Sequence, residues 1–120
     1  MTALCVLALA LAGCGGPGKD DAEETVRDFA KAANAHDGDG FCRDLVTDDF
    51  VDAAFGSEKT CRAQLKGLKN NFELVAIEKV TVDGDKATVV ATIQSGGQRS
   101  KQTLDLREDG GKFKLTGGAQ

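Results

Sequence analysis

Apolar residues recur along the chain with two different periods, and the change falls close to residue 70. Ala22, Val26, Phe29, Ala30 and Ala33 stand three or four apart, which marks one face of a helix. Arg27, Asp28 and Lys31 lie off that stripe. Asp20 with Glu23, or Asp21 with Glu24, has the spacing of an N-cap and its third helical residue, and an acidic first turn suits the positive end of the helix dipole. The helix should stop within Asn34–Gly38, where Asn, Asp and Gly accumulate. Phe41, Leu45 and Val46 form a second apolar set. Thr47-Asp48-Asp49 then caps a short helical turn carrying Phe50, Val51, Ala54 and Phe55. Ser57 can cap a further helix through Gly67, with Cys61, Leu65 and Leu68 along one face.

From Phe72 onward the period is two. Phe72 to Val82 is rich in strand formers, but Leu74-Val75-Ala76-Ile77 breaks the alternation, so this strand is either buried on both faces or bulged and curved. Asp83-Gly84-Asp85 reads as a hairpin, with Asp-Gly supplying the positive φ of a type I′ turn. Ala87, Val89, Ala91 and Ile93 alternate with Thr88, Val90 and Thr92. Turns follow at Ser95-Gly96-Gly97-Gln98 and Asp109-Gly110-Gly111, around a strand with Leu104 and Leu106 on one face. Phe113 and Leu115 make a last short strand. Helices first and then a four-stranded antiparallel meander define an α+β domain, with the helices packed on a curved sheet.

Of the 120 residues, 41% are hydrophobic and 28% charged, a globular composition rather than a disordered one. The formal charge of −4 gives no basic footprint for nucleic acid, so no nucleic-acid partner is expected. It also makes charge alone a poor means of holding anionic lipid.

Ahead of the first helix stands an uncharged apolar run, Ala3 to Ala12, closing in Leu11-Ala12-Gly13-Cys14. Ten residues is too short for a bilayer core of about 30 Å but fits the apolar region of a signal peptide. The stretch resembles the lipobox of bacterial lipoproteins. That resemblance implies cleavage between Gly13 and Cys14, diacylation of Cys14, and a domain held by lipid on the extracytoplasmic face of the cell membrane. Residues 1–13 are then the signal peptide, 14–19 the lipidated cysteine and flexible spacer, 20–116 a single domain and 117–120 a tail. Met1-Thr2 departs from the pattern, because such signals begin with Lys or Arg, and a start upstream of Met1 would supply them. The bland alternative is a buried helix that happens to end in these four residues. Two or more acyl chains hold a protein stably, and the spacer from Gly15 to Lys19 reaches under ~20 Å even when extended. The domain is therefore expected close to the membrane surface.

Four cysteines then divide by fate. Cys5 leaves with the signal, Cys14 takes the lipid, and Cys42 and Cys61 remain to pair in an oxidising compartment. A redox role for that pair is the sharper alternative, but there is no Cys-x-x-Cys to support it. A loop of this size corresponds to ~3 kcal/mol of stabilisation by loop-closure arguments.

The order of parts resembles the nuclear-transport-factor-2-like superfamily: Ala22–Asp37 as a long first helix, Gly38–Phe55 as its helical continuation, and Phe72–Leu115 as a meander with a Val-Asp-Gly-Asp-Lys-Ala turn. More specifically it is similar to small cysteine-paired lipoproteins of high-GC Gram-positive (actinobacterial) bacteria. The resemblance implies a cone-shaped space between helix and sheet, and it brings two enzyme classes of the superfamily into consideration. The isomerases use a carboxylate base with Tyr and a protonated Asp as oxyanion hole, and this chain has no Tyr. The cyclases use Asp and His. His36, the sole His, sits at a predicted helix end, where contact with terminal carbonyls or with solvent is the simpler role.

Asp44, Asp48, Asp49 and Asp52 would stand near the mouth of such a pocket, although capping and solvation account for them. The apolar face Ala87 to Ile93 carries no carboxylate, and Asp105 and Glu108 belong on the exposed side or in a turn. One His and a committed Cys pair do not make a zinc site, and the Asp-Gly-Asp sequences at 37–39 and 83–85 lack the ladder of a calcium loop. No catalytic residue, metal or cofactor is assigned. The expected function is a non-enzymatic binding or interaction module, for a small apolar ligand or an envelope protein, with a cyclase- or isomerase-like enzyme as the alternative. Phe29, Phe41, Phe50, Phe55, Val89, Ile93, Leu104 and Phe113 would line either a small apolar pocket or a filled core, and few large side chains favour a filled core.

Overall fold

A computed structural model describes residues 17–69 and 72–118. The signal-like run, Gly13 and Cys14 lie outside the described residues.

The first helix, α1, spans Lys19–Asn34. Its cap differs from both expected pairs. Gly18 holds the cap position, and its amide donates to Asp21 Oδ2 at 2.8 Å, so Asp21 acts from inside the first turn. The amides of Asp21 and Ala22 donate to Gly18 O, and the Asp21 carboxylate secures the Gly18 amide in return. The helix ends at Asn34, and His36 follows in the left-handed region with φ 58°. Its buried face is made of Ala22, Thr25, Val26, Ala30, Ala32 and Ala33. These small side chains let the helix axis lie close to the sheet.

A wide π-helical turn, Gly40–Leu45, comes next, followed by α2 (Asp48–Phe55) and α3 (Glu58–Lys66). The wide turn buries Phe41, Cys42 and Leu45 together. The expected caps of the two short helices are present: Thr47 Oγ1 accepts from Phe50 N and Ser57 Oγ from Thr60 N.

Strands β1 (Phe72–Asp83), β2 (Lys86–Ser95), β3 (Gln98–Asp109) and β4 (Lys112–Gly118) form an antiparallel meander in the order β1-β2-β3-β4. Three helices pack on this curved sheet. Register shifts between Leu74 and Ala76 and between Ile77 and Lys79 identify two bulges in β1, which explains the broken alternation there. Each bulge resets the pleat, so Leu74, Ile77 and Val80 all stand opposite residues of the inner face, Ile93, Ala91 and Val89. A third shift bends β3 against β4 between Asp105 and Leu106.

The first hairpin corrects the expected turn. Asp83 pairs with Lys86, so the loop is Gly84-Asp85, with positive φ at Gly84 alone. Glycine at the first central position is the type II′ arrangement, not type I′. The Gly-Gly loops at 96–97 and 110–111 have positive φ at both positions and do follow the I′ pattern.

Between α1 and the sheet the interior is filled. Val26, Val89, Leu104, Leu106, Phe113 and Leu115 are all buried to within 2% exposure. Each such side chain is worth roughly 1.5–3 kcal/mol on burial. Thr25 and Thr47 are the buried polar residues among those described, and the Thr25 hydroxyl donates to Phe113 O at 2.8 Å, fixing α1 against β4. The chain before α2 adds to the same edge: Val46 bridges Leu115 in parallel, and Thr47 N donates to Leu115 O at 2.9 Å. Opposite, Cys42 and Cys61 form the expected disulfide, with Cα atoms 6.1 Å apart and both residues buried. It joins the π-helical turn to α3 across a separation of 19 residues.

Candidate functional site

The open space lies at one end of the filled core rather than inside it. Near the C-terminal end of α1, a cleft of about 550 Å³ is bounded by Phe29, Ala33, Phe41, Phe55, Gln64, Leu65, Gly67, Leu68, Lys69 and Phe72. Helix α1 supplies Phe29 and Ala33, the π-helical turn Phe41, α2 Phe55, α3 and the turn after it Gln64, Leu65, Gly67, Leu68 and Lys69, and β1 opens with Phe72. The size falls within the usual range for small-ligand sites of about 300–1,000 Å³.

Four rings make its floor. Phe72 and Phe29 have centroids 5.9 Å apart, Phe29 and Phe41 5.0 Å, and Phe41 and Phe55 6.5 Å in an edge-on arrangement. Such tilted and edge contacts match the ring quadrupoles and contribute about 0.5–1.5 kcal/mol per pair beyond area burial. Phe50 continues the series at 6.3 Å from Phe55 but does not border the cleft. Phe41 is buried, whereas Phe29, Phe55 and Phe72 are half-buried and present ring surface to the opening.

The eight residues expected to line a pocket or a core therefore divide. Phe29, Phe41 and Phe55 line the cleft. Val89, Leu104 and Phe113 belong to the filled core, and Ile93 and Phe50 are half-buried at its edges. Phe72, Leu65 and Leu68 complete the cleft. Leu65 and Leu68 were visible in the sequence only as a helical stripe, and Phe72 only as the start of a strand.

What holds the cleft open is polar. Asn34, the last residue of α1, donates from Nδ2 to Phe72 O at 2.6 Å and accepts from Phe72 N at Oδ1, 3.0 Å. His36 Nδ1 donates to Leu65 O at 2.9 Å, so the sole His does meet a terminal carbonyl, though that of α3 rather than of its own helix. These contacts tie the end of α1 to β1 on one side and to α3 on the other.

The four aspartates expected near the mouth are elsewhere. Asp48 and Asp52 border a shallow depression with Cys42, Val51 and Glu58, Asp44 borders another beside Leu45 and Lys112, and Asp49 pairs with Arg107 at 3.4 Å. All four are exposed, Asp48 and Asp49 in the first turn of α2, Asp52 further along it and Asp44 on the π-helical turn. A polar basin of about 590 Å³ on the other face of α3 is lined by His36, Asp37, Asp39, Lys59, Arg62 and Lys66 among others. Arg62 is held there by Asp39 at 3.2 Å and Glu58 at 3.1 Å, and Glu58 also pairs with Arg43 at 3.0 Å, holding that guanidinium's pKa above its ordinary value. Among the described residues no three His, Cys, Asp or Glu side chains converge as metal ligands, and no helix is long and apolar enough to cross a membrane.

No family model and no curated protein matches the sequence. Solved structures do match the fold. An NTF2-like protein of unknown function from Cytophaga hutchinsonii aligns with a TM-score of 0.50 at 14% identity, covering 78% of this chain and 85% of that one. A candidate ketosteroid isomerase from Kribbella flavida aligns with a TM-score of 0.53 at 14% identity, over 82% and 76% of the two chains. A de novo designed NTF2 fold protein aligns with a TM-score of 0.52 at 16% identity, over 85% and 86%. The chain has the NTF2-like fold. At these identities the likeness concerns architecture, and chemistry must come from the site.

Proposed function

We propose that this is a membrane-anchored extracytoplasmic lipoprotein whose domain is a non-enzymatic binding module, with the Phe29–Phe72 cleft as the place where a small apolar ligand sits. The observation that carries the ligand half is the lining: seven of the ten bounding residues are Phe, Leu or Ala, and none is a carboxylate or His. A cleft of that makeup gives binding energy by desolvation, and Lys69 is its one titratable side chain. The competing reading, an acid–base enzyme of the cyclase or isomerase type, draws on the likeness to the Kribbella protein. It needs a carboxylate or His at the site, and His36 borders the basin on the other face of α3 rather than the cleft. The anchor half rests on the lipobox-like Leu11-Ala12-Gly13-Cys14 and the short spacer behind it.

Ligand binding is tested with N-phenyl-1-naphthylamine, a neutral apolar fluorophore. Saturable one-to-one enhancement, lost in Leu68→Glu while the far-UV spectrum is kept, supports the cleft. Absence of saturable binding to the wild-type chain contradicts it.

A further inference from the structure

The cleft is apolar along its floor and charged at a single point. Of its bounding residues Lys69 alone carries a charge, and Gln64 is the other polar side chain. Lys69 is exposed and makes no ion pair with the described residues, unlike Arg43, Arg62, Arg107 and Lys114. Its ammonium is therefore free to meet a ligand at the mouth.

The surroundings do not cancel that charge. The preceding helix would ordinarily present a negative end here, with unpaired carbonyls in its last turn. In α3 three of the last four carbonyls are occupied: Gly67 N donates to Ala63 O and Gln64 O, and His36 Nδ1 to Leu65 O. Lys66, in the last turn of α3 and lining the polar basin, also makes no ion pair with the described residues. Asp37 and Asp39 are the carboxylates of that basin; Asp37 Oδ1 accepts from Gly40 N, and Asp39 is held by Arg62. On a chain of net charge −4 this end of α3 is thus locally positive.

We propose that the cleft takes a single-chain amphiphile with a carboxylate head, its hydrocarbon lying over Phe72, Phe29, Phe41 and Phe55 and its head on Lys69. This rests on the cleft being a ligand site, and it adds the charge and position of the head. A bidentate site would call for Arg. A lone Lys acts as a point charge and suits a head that remains partly in water.

The test compares dodecanoate, dodecanol and dodecyltrimethylammonium as displacers of N-phenyl-1-naphthylamine from the full chain, at a pH where the acid is ionised. Dodecanoate should bind about tenfold more tightly than dodecanol, with the cationic probe weakest. In Lys69→Glu the carboxylate preference should vanish while dodecanol affinity stays within about twofold. Equal displacement by all three probes, or an unchanged carboxylate preference in Lys69→Glu, overturns the head-group assignment and leaves the cleft standing. Failure of every probe to displace the fluorophore overturns both.

Discussion

The side-chain amide of Asn34 pairs with the main chain of Phe72 through two hydrogen bonds, of 2.6 and 3.0 Å, and so behaves as one more residue of a β-ladder. A helix end is thereby joined to a strand start 38 positions later, and Phe72 is fixed as a wall of the cleft.

Because an amide supplies one donor and one acceptor, a carboxylate can replace only the accepting half. Asn34→Ala should cost about 1–2 kcal/mol, in line with two partly exposed hydrogen bonds. Asn34→Asp should cost at least as much, since it sets an anionic oxygen against Phe72 O. Chemical denaturation reads the cost, and amide exchange at Phe72 should quicken in both variants. An Asp variant as stable as wild type would show that the pairing contributes nothing.

The Cys42–Cys61 bridge closes a loop around α2, and its loss should destabilise the chain by ~3 kcal/mol. For a domain of this size each kcal/mol moves Tm by about 4–8 °C, so reduction or Cys42→Ser/Cys61→Ser should lower Tm by more than ten degrees. The ion pairs of Arg43 and Arg62 beside the bridge are solvent-exposed and should not compensate. Quantitative labelling of both thiols in the native protein would contradict the account.

On the inner face, Gln102 stands opposite Ala91, and its Oε1 is buried without a hydrogen-bond partner among the described residues, while its Nε2 donates to Ser100 Oγ at 2.9 Å. An orphaned acceptor costs about 1–3 kcal/mol, so Gln102→Leu should leave stability unchanged or raise it. A loss above about 1 kcal/mol on denaturant unfolding would mean that the oxygen has a partner in solution.

The fold was legible wherever a single local rule governed the residues. Period-two alternation over Ala87–Ile93, the Gly-Gly loops at 96–97 and 110–111, and the caps at Thr47 and Ser57 each depend on neighbours within a few positions, and each has its expected place. The first turn was misread because Asp83-Gly84 and Gly84-Asp85 both make good hairpin loops, and the pairing of Asp83 with Lys86 decides between them. The helix cap was missed because Gly18 has no side chain to advertise it.

The cleft was half legible. Phe29, Phe41 and Phe55 stood out as aromatic residues, but Phe113, of the same kind, lies in solid core. What separates them is which end of α1 they face, a long-range matter set by Asn34, His36 and the bulges of β1. No residue pattern within a short window carries that information.

The proposed place at the membrane rests on acylation of Cys14, and intact mass spectrometry of the chain extracted from its own membranes tests it most directly. The account predicts a polypeptide that begins at Cys14 and carries at least two covalent acyl chains. An unacylated chain that still begins with Met1 would contradict it, and with it the proposed role at the cell surface.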